Sequence, residues 1–296
     1  MNNAKNFIKL FIPNFFLPLL RDLRNKVFVT KIKISSLNPY PKNLSSTSKS
    51  IYNQLKTLGY ARIESKKYKH AAKIVSNDYL SRIDGLKQHN KKQKMERIYG
   101  PSDEIGNNIY MLSFLNSHLH AYFFDSNILA GITRFIGVQP VFRQSPMLED
   151  VNFSDTSAHL ISLDPAIYAA AFHTDYYRQL NIMLLLTDIT EDTTHTEYAV
   201  GSNNRNIFKQ GNHLAYPESN RLIAEAGYPI HKLTGKKGDV IIIDTSGFHR
   251  ACYKENTTRR LLSLVINPNY PFLGYGEDLS GTISNKAPDF ISNAIR

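Results

Sequence analysis

The second half of the chain consists of short β-rich runs separated by polar or glycine-containing turns, and this pattern restricts the possible folds most strongly. Beyond Gly137 these runs are VQPVFRQSPML, AIYAAAFHTD, LNIMLLLTDI, EYAVGS, HKLTGKKGDVIIID and RRLLSLVIN. Short strands with regular turns are typical of a sandwich or a barrel. About eight strands that follow a mainly helical first half predict an α+β chain. We expect two facing sheets that form a double-stranded β-helix, or jelly roll, with helices packed outside and a protected pocket between the sheets.

The chain is predicted to divide into three parts. Residues 1–34 form a basic and apolar segment, and residues 35–50 are rich in Ser, Pro and Asn, as linkers are. Residues 51–296 are long enough to bury a full core as a single domain. The helix SKSIYNQLKTLG, which stops at Gly59, is expected at the start of this folded part.

The apolar part of the N-terminal segment is too short to cross a bilayer. Its run of about 10–14 apolar residues is broken by Lys9, Pro13 and Pro18, whereas a membrane-spanning helix needs about 20. Basic residues follow it where a signal peptide would have a small-residue cleavage site. We expect residues 5–33 either to pack on the domain or to make peripheral contact with a membrane, and in both cases the protein would be cytoplasmic.

The positive charge of the chain is concentrated in its first hundred residues. They contain 21 of the 36 Lys and Arg residues, but only 5 of the 25 Asp and Glu residues. The remainder is slightly acidic, so we expect no nucleic-acid partner and interpret the basic stretches as solvated helix faces. The single cysteine, Cys252, excludes an internal disulfide. It is compatible with a reducing compartment, and we expect it to be a small buried residue.

His173 and Asp175 are two residues apart in AIYAAAFHTDYYRQLNIMLLL, a run whose pattern predicts a β-strand. Side chains at i and i+2 of a strand leave from the same face, so the imidazole and the carboxylate would project together. His249, at the end of the strand-like run GDVIIIDTSGFHR, offers a third ligand. Two histidines and one carboxylate leave three coordination positions open, which is the arrangement of non-haem Fe(II) oxygenases.

Other arrangements of the same residue types remain open. His195 and Glu197 have the same spacing, but they follow a polar turn and not an apolar strand. His118 and His120 lie in a helical stretch, where residues two apart do not share a face. A core histidine satisfied by Asp175 is the structural alternative to a metal ligand. A zinc hydrolase could also use two histidines and one carboxylate, with water in the fourth position.

An arginine pair follows His249 and could hold an acidic cosubstrate. Arg259 and Arg260 begin the run RRLLSLVIN, and adjacent strand residues point to opposite faces. Arg259 shares the more polar face with Ser263, so it is favoured over Arg260 as the residue that points inward. A buried guanidinium can hold a dicarboxylic acid by two parallel charge-assisted hydrogen bonds, which a water-activating zinc site does not require.

Further pocket residues follow from strand alternation. If the strand continues beyond Asp175 without a loop, Tyr177, Gln179 and Asn181 share the face of His173. Ser263 would join them from the strand of Arg259. We therefore expect Tyr177, Gln179 and Ser263 as possible lining residues of the pocket.

With these residues in place, the chain resembles the phytanoyl-CoA dioxygenase family of Fe(II)/2-oxoglutarate oxygenases over roughly residues 50–270. The specific blocks are FHTDYYRQLNIMLLLTDITEDTTHTEYAVGSN and GDVIIIDTSGFHRACYKENTTRRLLSLVIN. They contain the His-x-Asp pair, the Gly-Ser turn, the second histidine and an arginine about ten residues further on. The chain departs from the family pattern at Val200 and Asn203, where the family often has Pro and His, and this weakens any inference about the substrate.

The resemblance implies a double-stranded β-helix in which His173, Asp175 and His249 bind Fe(II) and Arg259 binds the far carboxylate of 2-oxoglutarate. Dioxygen would be the other cosubstrate, and succinate and carbon dioxide would be released. Halogenating relatives replace the carboxylate ligand by a small residue, so the retained Asp175 favours hydroxylation or another oxidation. We expect a dioxygenase that hydroxylates a C–H bond of a small organic metabolite. The alternatives are a catalytically silent binding protein of this fold and a cupin-like metal hydrolase or isomerase that does not use 2-oxoglutarate.

Overall fold

A computed structural model of the chain describes the helices and strands around the predicted site. The residues described are 44–64, 68–70, 72–73, 77, 107–111, 125–137, 140–142, 147–153, 170–175, 178–205, 214 and 217–268. The N-terminal segment 1–34 and most of the stretch 35–50 lie outside these residues, so their predicted roles stay predictions. Within the described residues, none of the helices has the length and apolar character that crossing a bilayer requires.

The α-helices described along their full length are α1 (Ser46–Leu58), α2 (Ser126–Ile136) and α3 (Glu218–Ala226). α1 starts after Ser45, whose hydroxyl accepts a hydrogen bond from the Ser48 amide at 3.1 Å, as an N-cap does. It ends at Gly59, where φ is +84°, a conformation that favours glycine. The helix therefore begins inside the stretch 35–50 that was predicted to be a linker.

Helices α1 and α2 pack closely against each other. A Cβ atom added at Gly131 would lie 2.9 Å from both the Ile51 side chain and the Ser48 carbonyl oxygen, so only glycine permits this approach. The Ser48 hydroxyl also donates to the Asn127 carbonyl at 3.0 Å. These contacts join α1 to α2, although some eighty positions separate Ser48 from Asn127 in the sequence.

The strands form two antiparallel sheets. They are β1 (Tyr60–Ile63), β2 (Asn107–Met111), β3 (Pro140–Phe142), β4 (Met147–Phe153), β5 (Leu180–Leu185), β6 (His195–Ala199), β7 (Ile230–Leu233), β8 (Val240–Asp244), β9 (His249–Cys252) and β10 (Thr257–Pro268). Among the described residues, the larger sheet has the order β1-β8-β5-β10-β4-β2, with β3 also paired to β10, and the smaller has the order β7-β6-β9. The prediction of a chain with helices and antiparallel sheets is confirmed.

The two sheets pack against each other through one buried cluster. From the larger sheet it includes Met183, Leu185, Ile241, Ile243 and Leu261, and from the smaller sheet it includes Tyr198 and Leu233. Odd-numbered residues of β5, β8 and β10 therefore point to the space between the sheets, since side chains alternate along a strand. Tyr198 is completely buried there, and its hydroxyl donates to the Asp244 carbonyl at 2.8 Å.

One predicted strand is wrong. The run around His173 and Asp175 was predicted to be a strand continuous with LNIMLLL, but β5 begins only at Leu180. His173 instead makes an isolated bridge to His249. Arg178 has a φ of +53°, in the left-handed region, which breaks any extended conformation before β5. The described residues 170–175 are therefore not part of the strand that begins at Leu180.

Candidate metal centre

His173, Asp175 and His249 lie together in the structure. Their ligand atoms are all within 4.8 Å of one another. The imidazole centroids of His173 and His249 are 4.4 Å apart, and His249 Nε2 is 3.9 Å from Asp175 Oδ2. His249 is 8% exposed, whereas His173 and Asp175 are half-buried. The cluster is therefore partly exposed.

Backbone hydrogen bonds bring the three residues together. The amides of His173 and His249 each donate to the carbonyl of the other, both at 3.0 Å. The Asp175 amide donates to the Thr245 carbonyl at 2.7 Å. His249 is also paired with Tyr198 across β9 and β6, and directly opposed residues share a face of the sheet. Since Tyr198 points between the sheets, His249 and its bridge partner His173 point there too.

The hydrogen bonds of the two imidazoles define which nitrogen faces the cluster. His173 Nδ1 is 3.0 Å from the Ala171 carbonyl, and His249 Nδ1 is 3.0 Å from the Gly247 carbonyl. A carbonyl only accepts, so each Nδ1 must carry the proton and each neutral ring keeps its lone pair on Nε2. Metal-bound histidines show the same arrangement, in which the nitrogen that does not bind the ion donates to a carbonyl or a carboxylate.

Gln179 holds the carboxylate of the cluster. Its side-chain amide donates to Asp175 Oδ2 at 3.0 Å, and the residue is 4% exposed. Gln179 was predicted to line the pocket by strand alternation, but the turn at Arg178 removes that reason. It contacts the site through its bond to Asp175. Tyr177, which was predicted in the same way, lies outside the described residues, as do His118 and His120.

Arg205 joins the two segments that carry the cluster, a role that no motif in the sequence indicated. Its guanidinium donates to the Thr174 hydroxyl and to the Ser246 carbonyl, both at 3.3 Å, and lies 5.3 Å from the centre of the Phe248 ring. Burial lowers the pKa of the Arg205 guanidinium. Thr174 is flanked by two cluster residues, and Ser246 precedes the third, so Arg205 stabilises their relative position.

Asp244 is a second buried polar residue that sequence reasoning missed. Its Oδ1 accepts from the Ser246 amide at 3.1 Å and hydroxyl at 2.6 Å, and its Oδ2 accepts from the Asn203 amide at 3.2 Å. Burial raises the pKa of the Asp244 carboxyl above its ordinary value of 3.8. These bonds fix the turn that leads into His249. Asn203, a departure from the family pattern, is therefore part of the support beneath the site.

Arg259 lies between the two sheets and is already paired with a carboxylate. Its guanidinium is 3.1 Å from Glu149 Oε2 and 3.5 Å from the Thr196 hydroxyl of the smaller sheet. The Ser263 hydroxyl donates to Glu149 Oε1 at 3.3 Å. Arg259 is 5% exposed, whereas Arg260 is half-buried. The backbone amide of Arg260 donates to the Thr187 hydroxyl at 3.1 Å. Arg259 and Ser263 thus bind the two oxygens of the Glu149 carboxylate.

Several buried polar atoms between the sheets lack a hydrogen-bond partner among the described residues. They are Arg259 Nε on β10, Asn181 Oδ1 on β5 and both polar side-chain atoms of Asn267 on β10. All three residues have the odd numbering that points inward on these strands. Buried polar atoms of this kind normally have partners. The inner face of the larger sheet can therefore accommodate a polar ligand.

His195 and Glu197 belong to a different cluster. Together with Cys252 they form a second group of ligand atoms within 4.8 Å of one another. Cys252 is half-buried, so the prediction of a buried cysteine is wrong. His195 and Glu197 alternate with Tyr198 and so lie on the outer face of the smaller sheet, away from His249.

Comparisons with solved structures identify the fold. The chain matches EctD from S. alaskensis with bound Fe at a TM-score of 0.53 and 14% identity, covering 78% of this chain and 80% of that one. It matches the non-haem α-ketoglutarate-dependent carbocyclase SnoK of nogalamycin biosynthesis at 0.50 and 14%, covering 77% and 85%. It matches the epimerase SnoN in complex with Fe3+, α-ketoglutarate and nogalamycin RO at 0.50 and 12%, covering 82% and 95%. Neither a protein-family model nor a curated protein matches the chain. The chain thus has a fold seen in non-haem iron enzymes.

Proposed function

We propose that the chain is an Fe(II)- and 2-oxoglutarate-dependent dioxygenase built on a double-stranded β-helix, with His173, Asp175 and His249 as the iron ligands. The observation that supports it best is the orientation of the imidazoles. Both Nδ1 atoms donate to backbone carbonyls, so the neutral rings offer Nε2 as a ligand atom. Two imidazole nitrogens and one carboxylate oxygen form the donor set of non-haem Fe(II) sites.

The spacing of the donors favours a metal over a core histidine paired with Asp175. At 3.9 Å, His249 Nε2 and Asp175 Oδ2 are too far apart for a hydrogen bond. A neutral His249 directs a lone pair at a carboxylate, which is unfavourable unless a cation lies between them. When bound there, Fe(II) supplies the activation of dioxygen that no protein side chain provides. Gln179 would keep the carboxylate oriented for the ion through its 3.0 Å bond.

Arg259 and Ser263 are the proposed site for the far carboxylate of 2-oxoglutarate. They already bind the Glu149 carboxylate by bonds of 3.1 and 3.3 Å, which supports their role as partners of a second carboxylate. Arg259 Nε has no hydrogen-bond partner within the described part of the chain, so it could donate to the cosubstrate. Binding of the cosubstrate would require Glu149 to move aside. The surrounding apolar cluster would exclude water from the reacting groups.

The substrate is proposed to be a small organic metabolite that loses hydrogen from a C–H bond and gains a hydroxyl group. The chain resembles the phytanoyl-CoA dioxygenase family in its site motifs, and Asp175 retains the carboxylate that hydroxylating members use. Dioxygen and 2-oxoglutarate would be consumed, with release of succinate and carbon dioxide. The proposal assigns orientation and water exclusion to the protein and oxidation to the metal.

Anaerobic titration of the Fe(II) protein with 2-oxoglutarate tests the proposal. The chelate formed on iron has a visible charge-transfer band, and admission of dioxygen should then give slow succinate formation without any substrate. His173→Ala should abolish both signals. His231→Ala is a matched control, because His231 is an exposed histidine on β7 that pairs with the Tyr60 hydroxyl. The proposal is wrong if the wild-type protein gives neither signal.

Other results would identify the alternative functions. Binding of iron and 2-oxoglutarate without any succinate would indicate a silent binding protein of the same fold. Tight retention of zinc with no charge-transfer band would indicate a hydrolase or isomerase.

The arginine assignment is tested separately. Arg259→Lys keeps the charge but loses the paired donors, so the affinity for 2-oxoglutarate should fall about 10- to 100-fold, the equivalent of about 1.5–3 kcal/mol for a charged hydrogen bond. Iron binding should be unchanged. Arg260→Lys is the matched control, because it alters the adjacent arginine on the opposite face of β10. Equal effects of the two substitutions would contradict the assignment.

A further inference from the structure

The smaller sheet carries a second cluster of potential metal ligands on its outer face. His195 on β6 lies directly opposite Cys252 on β9, and Glu197 is two residues further along β6. One nitrogen, one carboxylate oxygen and one sulfur lie within 4.8 Å of one another. Because Tyr198 points inward, these residues are separated from His249 by the sheet itself.

His195 is buried, and one of its ring nitrogens has no hydrogen-bond partner among the described residues. The residue is 0% exposed, and its Nδ1 is 2.6 Å from the Thr193 carbonyl, so Nδ1 carries the proton. Nε2 is the nitrogen without a partner in the part of the chain that the structure describes, and it lies 3.8 Å from Glu197 Oε1. A buried nitrogen without a hydrogen bond lowers the stability of the folded protein. A neutral imidazole would also direct its lone pair at a carboxylate.

The distance between these two groups is longer than a direct hydrogen bond. A proton shared between an imidazole and a carboxylate would draw them to about 2.7–3.2 Å. Tetrahedral Zn2+ with bonds of about 2.0–2.2 Å to nitrogen and oxygen separates those two atoms by about 3.4 Å. The observed 3.8 Å is closer to the second value, and a small movement of either side chain would complete the coordination.

We propose that His195, Glu197 and Cys252 form a second metal site, for Zn2+, with water in the fourth position. Imidazole, carboxylate and thiolate are all ligands that zinc accepts, and the sulfur makes Mg2+ or Ca2+ unsuitable. Arg250 supports the site, because its Nε and terminal nitrogen bind Glu197 Oε2 at 2.8 and 2.7 Å. That pairing leaves Oε1 for the ion and fixes the carboxylate plane.

The thiol of Cys252 must lose its proton when the metal binds. Burial and the neighbouring Glu197 carboxylate raise the pKa of this thiol. The zinc–sulfur bond therefore forms as the S–H bond breaks, with the proton released to solvent, and affinity should rise with pH. The ion would tie β6 to β9, the strand that starts at His249. This inference does not depend on the proposed function, because none of its ligands belongs to the iron cluster.

The single cysteine of the chain makes the test specific. Co2+ bound to the metal-stripped full-length protein should show a thiolate-to-cobalt charge-transfer absorption. In a His173→Ala background, which removes the inner cluster, one equivalent of Zn2+ should still bind and should slow alkylation of Cys252 at least about tenfold. Cys252→Ser should lose the absorption, and Glu197→Gln should weaken Zn2+ binding.

Two results would overturn the second site. One is Co2+ binding without any thiolate absorption, and the other is alkylation of Cys252 at equal rates with and without Zn2+. Both measurements use chains that retain the cysteine, so a failure of Cys252→Ser to fold does not affect them. If the wild-type protein gave no 2-oxoglutarate signals but Zn2+ still protected Cys252 from alkylation, only the proposed iron site would be refuted.

Discussion

Replacement of Glu149 by glutamine should tighten 2-oxoglutarate binding while it destabilises the unliganded protein. Glu149 holds Arg259 and Ser263, the residues proposed to bind the far carboxylate of the cosubstrate. The wild-type protein must separate this pair before 2-oxoglutarate can take its place. Glu149→Gln removes the competing negative charge but keeps the size of the side chain.

The burial of this pair sets the magnitude of both effects. The side chains of Arg259 and Glu149 are 6% and 14% exposed, so solvent screens their interaction weakly. Loss of one partner from a buried pair costs about 3–5 kcal/mol of unfolding free energy, and the amide oxygen of glutamine keeps the loss near the lower figure. Cosubstrate binding no longer has to break the pair, so the affinity should increase by roughly 10- to 100-fold.

Urea denaturation with and without 2-oxoglutarate, together with the anaerobic titration, measures both quantities. Glu191→Gln is the matched control, because Glu191 pairs with Lys232 on the surface at 2.7 Å and is 66% exposed. Because solvent screens this surface pair, that change should leave both stability and cosubstrate affinity close to those of the wild type. A Glu149→Gln protein with wild-type or weaker affinity for 2-oxoglutarate would refute the view that this carboxylate occupies the cosubstrate position.

Three further predictions concern the support of the site. Gln179→Leu should weaken iron binding about 10- to 100-fold by freeing the Asp175 carboxylate, measured by competition with a chelator; unchanged affinity would show that the bond has no positioning role. Asp244 has a raised pKa in the folded state, so its contribution to stability is full below pH 3.8 and is lost as pH rises through the raised value. In Asp244→Asn, the unfolding free energy should therefore decline less as pH rises, which urea denaturation at several pH values would measure. The same pH dependence in both proteins would contradict this prediction. Gly59→Ala should destabilise the fold by about 2 kcal/mol or more, because φ is +84° and the new methyl group meets the Tyr198 ring; thermal unfolding would measure it, and a Tm equal to that of the wild type would contradict the argument.

Local signals in the chain were sufficient to predict most helices and strands. Glycines stop α1 and α2 at residues 59 and 137, because glycine accepts the left-handed conformation that ends a helix. The apolar runs after Gly137 became strands where they were bounded by turns. The exception is the run around His173, where an apolar composition suits a buried loop as well as a strand, and no local pattern distinguishes the two.

The sequence by itself determined the residue types and their alternation, which places Arg259 and Ser263 on one face of β10 and Arg260 on the other. Tertiary structure alone decided which distant groups complete each site. The carboxylate on Arg259 comes from 110 positions away, and the Arg205 bond that fixes Thr174 spans 31 positions. Such contacts depend on how two sheets pack, since a buried polar group must find a partner wherever the fold brings one. Periodicity along one strand contains no information about that partner.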